Sequence, residues 1–290
     1  MSEIYLVFVV FLFVLAVFDL MVGVSNDAVN FLNSAIGAKV AKFRTIIIVA
    51  AVGVFMGATM SNGMMEVARN GVFHPAMFSL KELMFIFLAV IISDVILLDI
   101  FNNLGLPTST TVSLVFELLG GTTAFVLLKL ANDTTGLTVG DLMNTEKALG
   151  MIMAIFVSVA IAFFFGIVLQ YISRLVFTFT YKKNLKWKIG IFGGVATTAI
   201  FYFMLFKGIK SMSFVTPEIY EYIQNHTLAI LGICFLASTA IMQFLYFLKV
   251  NVFKILVLMG TFALAMAFAG NDLVNFIGVP LAGYSAYTDF

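Results

Sequence analysis

One six-residue phrase occurs twice in this chain of 290 residues, as Asn26-Asp27-Ala28-Val29-Asn30-Phe31 and as Asn271-Asp272-Leu273-Val274-Asn275-Phe276. Each copy sets a carboxylate and two carboxamides at the end of an apolar segment. An Asn and an Asp in succession, with a second Asn three residues after the Asp, can turn carboxylate and amide oxygens toward one point. Oxygen ligands of that kind suit a hard cation such as sodium, and a helix N-terminus freed nearby suits an anion. A carboxylate inside a membrane costs several kcal/mol unless it is paired or hydrated. Asp27 and Asp272 therefore read as functional groups, and the two matched clusters read as halves of one binding site.

A third polar element lies between them: Gly105-Leu106-Pro107-Thr108-Ser109-Thr110-Thr111-Val112-Ser113. Proline in a first turn followed by hydroxyl residues marks a helix start, where free N–H groups and hydroxyls point the same way. Such an end binds an oxyanion without a fixed positive charge. The preceding apolar run ends in Asp94, Asp99, Asn102 and Asn103. Residues 83–119 can therefore be a re-entrant hairpin or two full crossings, and the sequence leaves both open.

The elements that must position these residues are membrane helices. Hydrophobic residues make up 62% of the chain and charged residues 11%, and the mean hydropathy is +1.10. That is too little polar surface to cover a soluble globule. The net charge of +1 and the lack of a long basic run give no footing for nucleic acid. Cys234 stands alone, so neither a disulfide framework nor a thiol metal site is available. The first apolar stretch has no basic leader and no small-residue cleavage site, so it is expected to stay as a spanning helix.

At about 20 apolar residues per crossing, the chain divides into eight segments near 4–22, 45–62, 83–101, 111–130, 148–179, 189–206, 227–247 and 254–269. The fold class is all-α: a polytopic membrane protein of about eight transmembrane or re-entrant segments, with inverted-topology repeats and broken helices. Residues 1–146 form the first repeat, 147–253 connect, and 254–290 begin the second. Lys39, Lys42 and Arg44 crowd the first loop, and Arg174, Lys182, Lys183, Lys186 and Lys188 crowd the fifth. The charge rule places both loops in the cytoplasm. It places the acidic break with Asp133 and Asp141 outside, together with the loop carrying Asn62, Glu66, Arg69 and His74. The N-terminus is then outside, and the two signature copies enter the membrane from opposite sides, as inverted repeats do. Gly23, Ser25, Asn26, Asn33, Ser34 and Gly37 around the first copy predict a break in its helix, lining a cavity.

At this point the residues resemble a known family. Gly23-Val24-Ser25-Asn26-Asp27-Ala28-Val29-Asn30 is similar to the G-A-N-D-V-A-N-A signature of the PiT inorganic phosphate transporters. Gly270 through Gly278 resembles its second copy, and Gly105 through Thr111 resembles its G-x-P-x-S-T-T element. The resemblance implies symport of inorganic phosphate with sodium or protons by alternating access, in a bacterial cytoplasmic membrane. It implies no enzyme activity and no cofactor beyond the coupling ion. It puts cation ligands at Asp27, Asn30, Asp272 and Asn275, and phosphate contacts at Asn26, Asn271, Ser109, Thr110 and Thr111. The partners it implies are phosphate and membrane lipid. The chain departs from the pattern at Thr108 and Val112, where an apolar residue and a histidine are expected. It also ends soon after the second signature, so the expectation is an N-terminal portion of a longer transporter, with a homo-oligomer or a complementing segment left open.

Other residues carry blander readings. Asp19, Asp94 and Asp99 read as local caps or pairs at helix ends or as functional carboxylates, with Asp94, the deepest, the best functional candidate of the three, and His226 reads as a helix-start residue. Trp187 beside lysines is an interfacial anchor. Glu117, near the hydroxyls, is placed equally well in the site or outside it. Two rival classes remain: an ion or anion channel or structural subunit, and an intramembrane aspartyl protease. The protease would leave the paired Asn residues and the Thr-Ser-Thr-Thr run without a role.

Overall fold

The computed structural model describes residues 2–59, 72–132, 136–178, 185–204 and 216–289. Asn62, Glu66, Arg69, Asp133, Lys182 and Lys183 lie outside the described residues. The described part is helical: α1 (Ser2–Gly37), α2 (Phe43–Thr59), α3 (Leu80–Leu104), α4 (Thr110–Ala131), α5 (Val139–Leu142), α6 (Thr145–Phe177), α7 (Lys188–Phe203), α8 (Pro217–Asn225), α9 (Thr227–Phe247), α10 (Val252–Asn271) and α11 (Leu273–Asp289). Its one β-bridge pairs Phe73 with Met143. Six stretches are long and apolar enough to cross a bilayer, and α2 and α7 are shorter apolar helices. Each of the eight expected segments has its helix. None of the most apolar stretch of α6 is buried, and bare apolar surface of that kind belongs in lipid.

Two details differ from the expectations, and one agrees. α1 runs unbroken for 36 residues through the first signature. The polar residues that would compete with its backbone have other partners: Ser25 donates to the Met21 carbonyl at 2.8 Å, one turn back, and Asn26 bonds to a neighbouring turn. The second signature does interrupt the chain, with a turn at Asp272 between α10 and α11. Finally, the stretch after that signature is a helix, α11, where no element was expected. Its Gly, Pro and polar content hides the helix from a hydropathy reading, while tertiary burial of Phe276, Val279, Ala282 and Gly283 stabilises it.

The chain forms two compact units. The first comprises the described residues of Met1–Asn30, Asn62–Ser158 and Gly270–Phe290. Its core gathers Val9, Leu12 and Ala16 of α1, Met84, Phe87 and Ile91 of α3, Leu114 and Leu118 of α4, and Val279 and Ala282 of α11. α3 starts at Ser79, which forms a capping box with Glu82, and ends at Gly105 in the left-handed region at φ 67°. Only glycine adopts that conformation without strain. α4 then returns antiparallel: Lys129 near its end is 3.2 Å from Glu82 at the start of α3, and 5.1 Å from the centre of the Phe78 ring. α4 continues to Ala131, so the hydroxyl-rich arm and the apolar run that follows it are one helix.

The second unit comprises the described residues of Phe31–Ser61 and Val159–Ala269. Small residues let its helices approach closely. A Cβ built on Gly53 would lie 3.1 Å from Ala265 Cβ, and one on Gly57 2.8 Å from Ala269 Cβ, so α2 and α10 run parallel. Both follow a turn of the same form, with Lys39 at φ 51° and Lys249 at φ 60°. The rings of Phe177, Phe192 and Phe253 join the ends of α6, α7 and α10, with centroids 4.8–6.2 Å apart. Lys39, Lys249 and Lys254 therefore share one end of this unit with the loop that carries Lys186 and Lys188. α1 runs toward that basic end and α10 runs away from it, the opposed directions that the charge rule predicts.

Antiparallel α7 and α9 meet through Gly190, Gly193 and Gly194 against Gln243, Met242 and Thr239. A Cβ on Gly194 would come within 3.1 Å of Thr239 Cβ, whereas one on Gly166 would meet nothing within 4 Å. Gly194→Leu should lower stability by about 1–3 kcal/mol through overpacking. Gly166→Leu should leave it nearly unchanged, and thermal unfolding of both variants in detergent checks the difference.

Candidate functional site

Both signatures and the hydroxyl-rich turn come together in the first unit. Two devices hold them there. The first is steric: the Phe276 ring, from the second signature, fills the space that a Cβ on Gly23 would need, three residues before the first signature. Glycine is required at that position by close approach, and the two copies touch across it.

The second is a hydrogen-bond clamp built on Asn26. Its Nδ2 donates to Asn102 Oδ1 at 2.9 Å and to the Leu106 carbonyl at 3.1 Å, while its Oδ1 accepts from the Thr108 amide at 2.8 Å. Asn102 in turn donates from Nδ2 to the Val22 carbonyl at 2.9 Å. The bonds of Asn26 hold the turn between α3 and α4 against α1. Sequence reasoning placed Asn102 only at the end of an apolar run; its contacts span some 80 residues of sequence, which no local pattern shows.

The clamp sets the start of α4 beside the second signature. Ser109 caps α4, its Oγ accepting from the Val112 amide at 3.4 Å. Thr111 Oγ1 donates to Asp272 Oδ1 at 3.0 Å and accepts from Asn275 Nδ2 at 3.0 Å. Thr111 thus joins two residues of the second signature, although the resemblance assigned it to phosphate and them to the cation. Asp27 is 3% exposed and feels the charge of Asp272. Among the described residues, Asp27 Oδ2, Asn275 Oδ1 and Thr110 Oγ1 are buried without a hydrogen-bond partner. Buried oxygens left in that state are costly unless something else fills the role of donor. Two of the three, on Asp27 and Asn275, are acceptors suited to a cation. Asn30, three residues after Asp27 on α1, is exposed, and the side chain of Asn271 lies outside the described residues.

A second acidic group lies deeper in the same unit. Ser113 Oγ is 2.6 Å from Asp94 Oδ1 and 3.0 Å from Glu117 Oε1. Asp19, on α1, lies close enough to Asp94 for the two carboxyls to act on each other. Asp19 and Asp94 are not local caps as read from sequence, because their partners lie on other helices. Asp99 does behave locally, accepting from Asn103 Nδ2 at 3.2 Å. His226 bonds through Nδ1 to the Tyr222 carbonyl at 2.9 Å and stacks on the Tyr222 ring.

Comparison with known proteins gives two matches. The sequence profile of the phosphate transporter family matches residues 23–289. A solved structure, "The sodium-dependent phosphate transporter", superposes with a TM-score of 0.69 at 19% identity, covering 96% of this chain and 68% of the other. At that identity the likeness shows the fold. No curated protein sequence matches.

The clamp makes a thermodynamic prediction. Asn26→Leu and Asn102→Leu should each cost about 1–3 kcal/mol by leaving a partly buried partner unsatisfied. Because they remove the same contact, the double variant should fall short of additivity by about 0.5 kcal/mol or more. Strict additivity in thermal or chemical unfolding would show that the two amides act independently.

Proposed function

This chain belongs to the phosphate transporter family, and on that premise we propose that it couples phosphate movement to a cation bound between the two signatures, by alternating access. It is an integral membrane transporter of phosphate and not an enzyme. The observation that carries the coupled reading is the pair of donorless buried oxygens, Asp27 Oδ2 and Asn275 Oδ1, beside the Thr111–Asp272 bond. A cation held by Asp27, Asp272 and Asn275, with the Thr111 hydroxyl, offsets the repulsion between the two carboxylates and satisfies oxygens that no protein donor reaches. Carboxylate, amide and hydroxyl oxygens form a hard donor set suited to an alkali cation. Sodium is the natural candidate, since the solved structure with this fold is of a sodium-dependent phosphate transporter.

Phosphate belongs at the start of α4. Ser109 and Thr110 present hydroxyls at a helix N-terminus, where amide N–H groups and the helix dipole favour an anion. Asn271 stays with the phosphate set, while Asn26 holds the turn that aims this helix. Cation binding then lowers the negative charge that phosphate meets, so the two bind cooperatively. The basic loops of the second unit are assigned to the cytoplasm, the N-terminus to the outside, and the protein to a bacterial cytoplasmic membrane.

Radiolabelled phosphate uptake into proteoliposomes, with sodium and pH gradients imposed separately, tests the reading. Saturable uptake that follows a cation gradient is expected; unsaturable, gradient-independent flux would instead mark a channel. Asp27→Asn and Asp272→Asn should each abolish gradient-driven uptake while the protein remains in the membrane. Normal uptake in either variant rules out this site.

A further inference from the structure

We propose that Asp19, Asp94 and Glu117, joined through Ser113, form a proton-binding site separate from the signature pair. The three acids come from α1, α3 and α4, far apart in sequence. Asp19 is 2% exposed, Asp94 3% and Ser113 7%, so water solvates these groups poorly, while Glu117 is half-buried. Among the described residues, the groups acting on these acids are other acids and the Ser113 hydroxyl, with no Lys, Arg or His.

Hydrogen counting assigns the protons. A serine hydroxyl has one hydrogen to donate and two lone pairs. Ser113 Oγ faces Asp94 Oδ1 at 2.6 Å and Glu117 Oε1 at 3.0 Å. Its single hydrogen serves the nearer oxygen, so the contact with Glu117 requires a hydrogen from the Glu117 carboxyl. Asp19 lies near enough to Asp94 that two ionised carboxyls would repel in a buried setting, which favours a proton on one of them. Asp94 is then the anion at the centre, receiving a hydrogen from Ser113, and Asp19 and Glu117 each hold a proton.

A further observation points the same way. Asp19 Oδ1 is buried and has no hydrogen-bond partner, as befits the carbonyl oxygen of an un-ionised carboxyl, which is far cheaper to leave unpaired than a carboxylate oxygen.

The cluster also has a route for proton movement. The Glu117 Oε–H bond breaks as a bond to Ser113 Oγ forms; the Ser113 hydrogen passes to Asp94 Oδ1, leaving Glu117 ionised and Asp94 neutral. Charge on Asp94 acts in turn on Asp27, which also feels Asp272. Proton occupancy here therefore biases cation binding at the signatures. The groups facing the cluster are Asp19 and Asp27 from α1, Asp94 from α3, and Ser113 and Glu117 from α4. α11, packed on α3, brings only the phenols Tyr284 and Tyr287 before Asp289 at its end. The link to transport rests on the coupled uptake proposed above; the proton site itself does not.

Infrared spectroscopy of the purified protein in lipid tests the assignment, since an un-ionised carboxyl has a carbonyl stretch separate from carboxylate and amide bands. The native protein at neutral pH should show un-ionised carboxyl bands, and Glu117→Gln should lose one of them. Ser113→Ala, which changes no charge, should shift the frequency of the Glu117 band, and so gives a second reading if the first variant folds poorly. Native protein without such bands, or variants with an unaltered spectrum, would overturn the proposal. Loss of the bands on adding sodium at constant pH would also overturn it, by showing that sodium occupies the cluster. Bands that behave as expected in protein with no phosphate uptake uphold the proton site and defeat only the transport reading.

Discussion

The first unit is organised around negative charge that meets no positive side chain among the described residues. Asp19, Asp27, Asp94 and Glu117 are held among apolar helices, and the groups that act on them are acids and a hydroxyl. An ionised carboxyl in such surroundings is costly unless a proton or a metal ion neutralises it. Lys129, the one basic residue of α4, is spent at the opposite end of the α3–α4 hairpin on Glu82 and Phe78. An internal Lys or Arg would stabilise the resting fold, but it would remove the demand for an external cation. On the proposed coupling, leaving the charge open lets the binding of a small ion change the energy of the whole unit.

That demand is useful only if the carboxylates are held in place while their neutralising partner comes and goes. The holding is done by groups bonded to one another and not to the ion. The Asn26–Asn102 pair ties α1 to the α3–α4 turn with bonds of 2.8–3.1 Å. Phe276 seats on Gly23, and Gly283 on Leu12 and Met84. The second unit relies on close glycine contacts, Gly53 and Gly57 on α10 and Gly190, Gly193 and Gly194 on α9. In lipid there is little hydrophobic force to press helices together, so close backbone approach and its dispersion contacts carry more of the load.

Much of this was legible in the chain itself. The doubled Asn-Asp phrase and the Pro107 turn named the residues, and apolar runs of about 20 named the helices, because a bilayer imposes that length on any sequence. The opposed directions of α1 and α10 followed from Lys and Arg placement. What misled was reading polar residues by their local habit. Ser25, Asn26 and their neighbours favour a broken helix in isolation, yet α1 continues, because Asn26 bonds across the fold and Ser25 bonds one turn back. α11 was missed for the matching reason: Pro280, Gly278 and Gly283 weaken it as a local helix, and burial against α3 restores it.

By itself the sequence determined the environment, the succession of helices and the residue types available for chemistry, since these depend on composition and on spacings of a few residues. Only the tertiary structure decided which of those residues meet. It joined Thr111 to Asp272 and Asn275 across more than 160 positions, turned Asn26 into a clamp, and collected Asp19, Asp94 and Glu117 around one serine. A hydrogen bond depends on separations of about 3 Å between atoms, and nothing in a linear pattern fixes such a distance between residues on different helices until the helices are packed.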